Sequence, residues 1–388
     1  LVQGLVNSLI ILVLACFIAG RVAASSYSVT DFGAKGDGVT DDTKAFLDTW
    51  NATCRSSGPS ILLIPAGKTF LLNPIVFQGP CQFYVRVQVD GDIIRPGQLW
   101  GGHFDHWLLF IHVDHLSIVG SGKIDGQGAA WWSCKTNRVS FSSSPLSSLL
   151  HCSRAQVAGL RLINSPRMHL VVGFSSTIRI TGLTITAPGD SPNTDGIHIE
   201  QSRNVIVSDS TIGTGGDDCI SIGTASFHVN VSWVTCGPGH GISVGSLGMD
   251  NSRAEVSDIQ VSHCNIFSTK NGGGYGYANR IIFENINFTA VMNPIIIDQH
   301  YCPATVCAEK KPSAVQVSDV RFIEARGTSS SQVAINFNCS QNVACTGITI
   351  QNVEIQPAQQ RGQASSYCFN AHGTVTGVAK PAVPCLMP

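Results

Sequence analysis

Charge is scarce in this chain. Asp, Glu, Lys and Arg make up only 13% of its 388 residues, and 24 basic side chains against 25 acidic ones leave a formal net charge of −1. A near-neutral chain lacks the basic surface that a phosphate backbone requires, which removes nucleic acid from the expected partners. No Cys-x-x-Cys pair occurs, so the usual zinc spacing is missing despite 14 cysteines. No linker or run of like charge divides the chain. The apolar run Leu9–Ala19 is too short for a comfortable membrane span.

What is present is glycine, 39 residues of it, together with those cysteines. Low charge with abundant Gly and Cys argues against disorder and for a stabilised secreted fold. The run Leu9–Ala19 has the form of a signal peptide, although no Lys or Arg precedes it. Val22 and Ala24 stand three and one residues before a cut after Ala24, so residues 1–24 are expected to be removed. Residues 25–388 are then expected to form a single domain, a monomer with no membrane contact once the signal is cleaved. Asn51, Asn230, Asn287 and Asn338 each begin a glycosylation sequon, as a secreted chain can carry. Loss of Cys16 with the signal leaves an odd 13 cysteines, so at least one thiol stays free. The close pairs Cys302/Cys307, Cys339/Cys345 and Cys219/Cys236 are candidate bridges, and Cys368/Cys385 a further one near the C-terminal end.

One short template recurs: apolar, any, apolar, any, any, apolar, any, apolar. It begins at Ile178 and returns at Val205, Val229, Ile259, Ile281, Val315 and Ile348. The Val205 copy is imperfect, because Ser210 fills its third apolar slot. The shortest step, 22 residues, separates Ile259 from Ile281. Alternation indicates strands, and the doubled gap suggests two strands meeting at a bend. A unit this short cannot bury its own apolar face; stacked units can. The expected fold is therefore all-β, a single-stranded right-handed parallel β-helix. A helix starting at Asp41 and Asp42, with Phe46, Trp50 and Cys54 on one stripe, would cap its N-terminal end. Steps near 40–45 residues would instead have suggested propeller blades.

Three polar clusters interrupt the apolar pattern: Asn193-Thr194-Asp195, Gly215-Gly216-Asp217-Asp218 and Gly239-His240-Gly241. Asp195, Asp217 and His240 follow their template starts by 17, 12 and 11 residues. Comparable offsets in consecutive coils, stacked about 4.8 Å apart, would place them on one face. Glycosidic hydrolysis needs such a set, with one carboxylic acid to protonate the leaving oxygen and another carboxylate to activate water or attack the sugar. Crowded carboxylates repel, so one keeps its proton, and His240 can tune that proton. Singly, each cluster also reads as an ordinary turn. Asp195, Asp217 and Asp218 could alternatively hold Ca²⁺ in a lyase, but no Arg base stands beside them. No metal or organic cofactor is expected.

The ordered motifs resemble those of the plant polygalacturonases, family-28 glycoside hydrolases. They run from Asp31-Phe32-Gly33-Ala34-Lys35-Gly36-Asp37-Gly38 through Ile124-Asp125-Gly126-Gln127-Gly128 and Ser191-Pro192-Asn193-Thr194-Asp195-Gly196. Gly216-Asp217-Asp218-Cys219, Cys236-Gly237-Pro238-Gly239-His240-Gly241, Asn293-Pro294-Ile295-Ile296-Ile297-Asp298-Gln299 and Tyr301-Cys302 complete the set. The resemblance implies a secreted, cell-wall enzyme that hydrolyses α-1,4-linked galacturonan (pectin) with inversion. Asp217 would be the general acid and Asp195 and Asp218 the activators of water. His240 would tune the acid, and Asn193 and Tyr301 would contact the substrate.

Two departures stand out. The Arg-Ile-Lys tripeptide that family members carry after an Asn-Gly is absent, since Asn271-Gly272 runs directly into Gly273-Gly274-Tyr275. Arg and Lys bind carboxylates through charge-assisted hydrogen bonds, so an obvious anchor for galacturonate is lost. A coding segment missing from the sequence, a less acidic pectin substrate, or a β-helix that binds pectin or a wall partner without cutting would each account for this. The second departure is Gly215, an extra Gly before Asp-Asp that could shift Asp217 through a bulge.

Overall fold

The computed structural model describes residues 24–97, 106–136, 144–245, 247, 254–268, 278–300, 315–359 and 362–386. The expected signal segment before Ala24, Tyr301 and the Cys302/Cys307 pair lie outside these residues. The chain winds as a parallel β-helix, each full coil laying one strand on each of three ladders. The first ladder begins at Ser25–Ser28 and the second at Asp37–Asp41, and both extend to Ala371–Lys380. The third begins at Ile75–Gln78 and continues to Ile242–Val244, then resumes at Ile295–Asp298. All the strand pairs within these ladders are parallel.

The template is the inner face of this winding. Ile178 pairs in register with Val205, then Val229, Ile259 and Ile281, while Ile180 pairs with Val207, Val231, Val261 and Phe283 in the same order. These residues are all buried. Fully burying each aliphatic side chain stabilises by about 1.5–3 kcal/mol, so the stack supplies the drive that single coils lack. The doubled gap is a corner. Its second residue is left-handed in each coil: Gly182, Asp209, Trp233, His263, Asn285, Glu324 and Asn352 have φ between 50° and 65°. One left-handed residue turns the chain from the first ladder onto the second, which explains why the spacing of apolar residues slips there by one. Ser210 in the imperfect copy is buried, donating to the Ser208 carbonyl and accepting from the Leu183 N–H. The expected copy at Val315 is corrected: register pairs Ile281 with Val320, so that coil starts five residues later. The misreading arose because Val320 and Phe322 satisfy both frames.

The N-terminal helix spans Thr43–Cys54 and buries Phe46 and Trp50 against the first coils, Phe46 edge-on to Phe70 and Trp50 edge-on to Phe77 and Phe110. Asp42 occupies its N-cap position, but its carboxylate binds the Lys35 and Gly36 N–H groups, and Asp41 instead accepts the Thr43 N–H. Disulfides join Cys219–Cys236, Cys339–Cys345 and Cys368–Cys385, and also Cys54–Cys81, which fastens the helix end and was not foreseen. Cys152 and Cys264 are buried free thiols.

Among the described residues, the third ladder is interrupted once. After Asn265–Phe267 of the second ladder, the next described strand is Ala278–Glu284 of the first. Among the described residues, that coil lays no strand on the third ladder, which divides into seven-stranded and three-stranded sheets. This is the coil of the shortest step and of the missing tripeptide. An apolar cavity lined by Val244, Ile281, Phe283, Ile296, Ile297 and Val320 lies at the break.

Candidate active site

The loops that carry the three polar clusters all connect the second ladder to the third. They differ in length, yet register fixes where each one ends. Ile197, Ile220 and Ile242 pair in sequence along the third ladder. Asp195, Asp218 and His240 each stand two residues before these partners. Backbone bonds continue the register outward, from Gly196 N–H to the Asp218 carbonyl and from Cys219 N–H to the Gly241 carbonyl. The three side chains are thus stacked in one row on consecutive coils, with Asp217 beside the middle one.

The side chains converge. The His240 Nδ1 lies 3.3 Å from Asp217 Oδ1, with both side chains about one-fifth exposed. Asp217 Oδ1 also accepts the Asp218 N–H at 2.9 Å, and Asn193 donates to its Oδ2 at 3.1 Å. Asp195 is 8% exposed, and its Oδ2 accepts from Ser221 Oγ at 2.7 Å. Ser243 Oγ donates to Asp218 Oδ2. The backbone beneath is tightly tied: Thr214 Oγ1 and the His240 N–H both donate to the Asp217 carbonyl at 2.8 Å. The Cys219–Cys236 bridge starts from the residue after Asp218 and ends on the core row of the second ladder. Asp217, Asp218 and His240 have ligand atoms within 4.8 Å of one another. One of the three is a histidine nitrogen, whereas Ca²⁺ takes oxygen ligands.

The sequence model for glycosyl hydrolases family 28 matches residues 54–379. The chain belongs to glycosyl hydrolase family 28. It is 42% identical over 383 residues to a polygalacturonase of Malus domestica, covering 94% of this chain and 81% of that one. An exopolygalacturonase of Zea mays is 37% identical over 98% of both chains. In fold, the chain superimposes on the endo-xylogalacturonan hydrolase of Aspergillus tubingensis with a TM-score of 0.77 at 24% identity, covering 92% of this chain and all of that one. An exopolygalacturonase of Thermotoga maritima gives a TM-score of 0.76 at 18% identity, over 95% and 92% of the two chains.

In this family-28 chain the carboxyls differ in electrostatics. Burial, reinforced by the charges of Asp195 and Asp217, holds the Asp218 carboxyl well above the usual carboxylate range. Burial and the neighbouring Asp217 raise Asp195 as well. For Asp217, burial pushes upward but is outweighed by the bond and charge of His240, the Asp218 N–H and Asn193, leaving it lowered. A sole protonated acid at Asp217 does not follow from these directions in the free protein. The geometry instead makes Asp217 and His240 a pair that can share one proton between Oδ1 and Nδ1. The His240 Nε2 is buried and meets no hydrogen-bond partner among the described residues.

The loops close by glycine. A Cβ on Gly216 would lie 1.5 Å from the Ser191 carbonyl oxygen, and Gly215 adopts φ +61° against Gly189. The extra glycine therefore folds inward onto the preceding coil's loop and leaves Asp218 in the common register. Several supporting residues escaped the sequence reading: His169, His198, Ser221 and Ser243. His198, Ser221 and Ser243 occupy outward positions of the third-ladder strands, where a polar residue between two isoleucines or between Ile and Val is ordinary alternation. His169 is fully buried, and burial pushes its imidazole down to about 4. Its Nδ1 donates to the Asp195 carbonyl at 3.0 Å, and its Nε2 accepts the Ser165 N–H at 3.3 Å.

Proposed function

We propose that this chain hydrolyses the α-1,4-galacturonosyl linkages of pectin by inverting acid–base catalysis, outside the cell, in the wall. The observation that carries this is the single row of Asp195, Asp218 and His240 on consecutive coils, with Asp217 beside it. Its relatives named polygalacturonase supply the substrate class. Asp217 protonates the leaving glycosidic oxygen, giving up the proton it shares with His240. Asp195 and Asp218 are two buried carboxyls that resist double ionisation, so one is ionised and takes a proton from the attacking water. The hydroxide adds to the anomeric carbon as the bond to the leaving oxygen breaks, and solvent returns the transferred proton to Asp217. Asn193, already bonded to Asp217, is a substrate-binding residue, with Tyr301 proposed beside it. The binding-only alternative finds no observation in its favour.

The test is release of reducing ends from polygalacturonate, with the anomer of the first product followed by NMR. Inverted product from the wild type, and its loss in Asp217→Asn, is the expected result. Retained configuration would refute the two-carboxylate inversion. Activity that survives Asp217→Asn would refute the assigned acid.

A further inference from the structure

Behind Asp195 a chain of polar groups runs along the outer face of the third ladder. Ile197 and Ile199 point into the core, so His198 and Glu200 point out. Register sets His198 beside Ser221. Ser221 Oγ lies 2.7 Å from Asp195 Oδ2 on one side and 2.7 Å from His198 Nδ1 on the other. His198 Nε2 lies 3.6 Å from Glu200 Oε2, within ion-pair distance.

Proton accounting fixes the direction of this chain. A hydroxyl has one proton, and an ionised carboxylate can only accept. When Asp195 is ionised, the Ser221 proton must point to it. The Ser221 oxygen then has only lone pairs for His198, so Nδ1 must carry a hydrogen. A free neutral histidine has no such obligation. Around the ring, Glu200 is on its own strand and Asp195 in the loop before it. Val171 and Ser221 flank it on the adjacent strands, and Gly223 lies close to its Cε1. Arg167, in the preceding coil, acts electrostatically on Glu200.

We propose that His198 is a positioning residue for hydrolysis, which orients the Ser221 hydroxyl so that its proton is held on Asp195. The proposal rests on the function proposed above and assigns that site an outer support. A bond donated to the ionised form favours it, and the positive Nδ1–H end of the ring acts in the same sense. Without that donor, Ser221 is free to rotate, and Asp195 takes up a proton at higher pH.

Two measurements on the full chain test this. Nitrogen-15 NMR of histidine-labelled protein, with His198 assigned by its loss in His198→Asn, should show hydrogen on Nδ1, and Ser221→Ala should abolish that preference. An unprotonated Nδ1 in the wild type while Asp195 is ionised would overturn the proposal whatever the activity. In the pH profile of kcat/KM on polygalacturonate, His198→Leu should move the acid limb up by about half to one unit, the worth of one ordinary hydrogen bond. His198→Asn, which keeps a donor near Nδ1, should restore the limb, with KM little changed in both. Equal losses in Leu and Asn with an unmoved limb would reduce His198 to packing and refute the role. A wild type that never cuts polygalacturonate would sink the proposed function, while the tautomer result would still decide the hydrogen-bond chain.

Discussion

Acid should loosen this fold through one buried histidine. His169 is bracketed between coils, its Nδ1 on the Asp195 carbonyl and its Nε2 near both the Ser165 N–H and the Thr186 carbonyl, and its complete burial favours the neutral ring. Burial lowers it from 6.5 to about 4. An unfolded chain takes up the proton below 6.5, whereas the fold refuses it until about 4. The contribution to stability is therefore complete above 6.5, falls as pH falls through this window, and levels off below it. A shift of roughly 2.5 units at 1.36 kcal/mol each makes the loss about 3 kcal/mol. Asp195 and Asp218 act in the opposite sense, because raised carboxyls take protons in the fold before they would in the unfolded chain. The comparison must be between proteins. Urea unfolding at neutral pH and near pH 4 should show His169→Asn less stable at neutral pH, yet less sensitive to acid than the wild type by about 3 kcal/mol. Parallel pH dependences in the two proteins would refute this account of His169.

Asp218→Asn removes a buried carboxylate that the fold resists ionising, so hydrolysis should vanish while unfolding free energy at neutral pH rises by about 1 kcal/mol or more; a lower thermal midpoint would contradict this. Gly216→Ala forces its Cβ onto the Ser191 carbonyl and should lower kcat by about 100-fold, whereas Gly189→Ala, with nothing among the described residues within 4 Å of its Cβ, should leave kcat unchanged. Ile180→Ala opens the central stack and should cost about 2–5 kcal/mol in urea unfolding. The chain as it stands should cut polygalacturonate weakly. Insertion of Arg-Ile-Lys and its flanks after Gly272 should raise kcat/KM by about 10²- to 10⁴-fold, from two charged contacts of about 1.5–3 kcal/mol each; equal, high activity in both forms would show the segment to be dispensable.

The fold was legible because its core is a translation: the same apolar slots recur where register stacks them, from Ile178 and Ile180 onward. The frame slipped at Val315 because a solenoid tolerates insertions between coils, and an apolar-rich stretch offers two frames to the eye. Counted forward from the template, Asp195 and His240 stand at unequal offsets. Counted back from Ile197 and Ile242 they are equivalent, since loops vary in length and strands do not. His198 and His169 could not be read from the sequence. What distinguishes them is a 2.7 Å contact across coils in one case and complete burial in the other, and neither leaves a local pattern. The Cys54–Cys81 bridge was similarly hidden, because a helical residue on an apolar stripe reads as packing.

The break in the third ladder has a mechanical meaning. A solenoid is a row of nearest-neighbour couplings, and its cooperativity is only as strong as the weakest step. Elsewhere in the central stack successive coils are joined through three hydrogen-bonded faces. Between Ile242–Val244 and Ile295–Asp298 they are joined through two, among the described residues. Local opening concentrates where few buried contacts hold neighbouring coils together. The apolar cavity lined by Val244, Ile281 and Phe283 is such a place, and the coil that carries His240 lies on its edge. Hydrogen exchange should divide there, with the strands before Val244 exchanging as one unit and those after Ile295 as another.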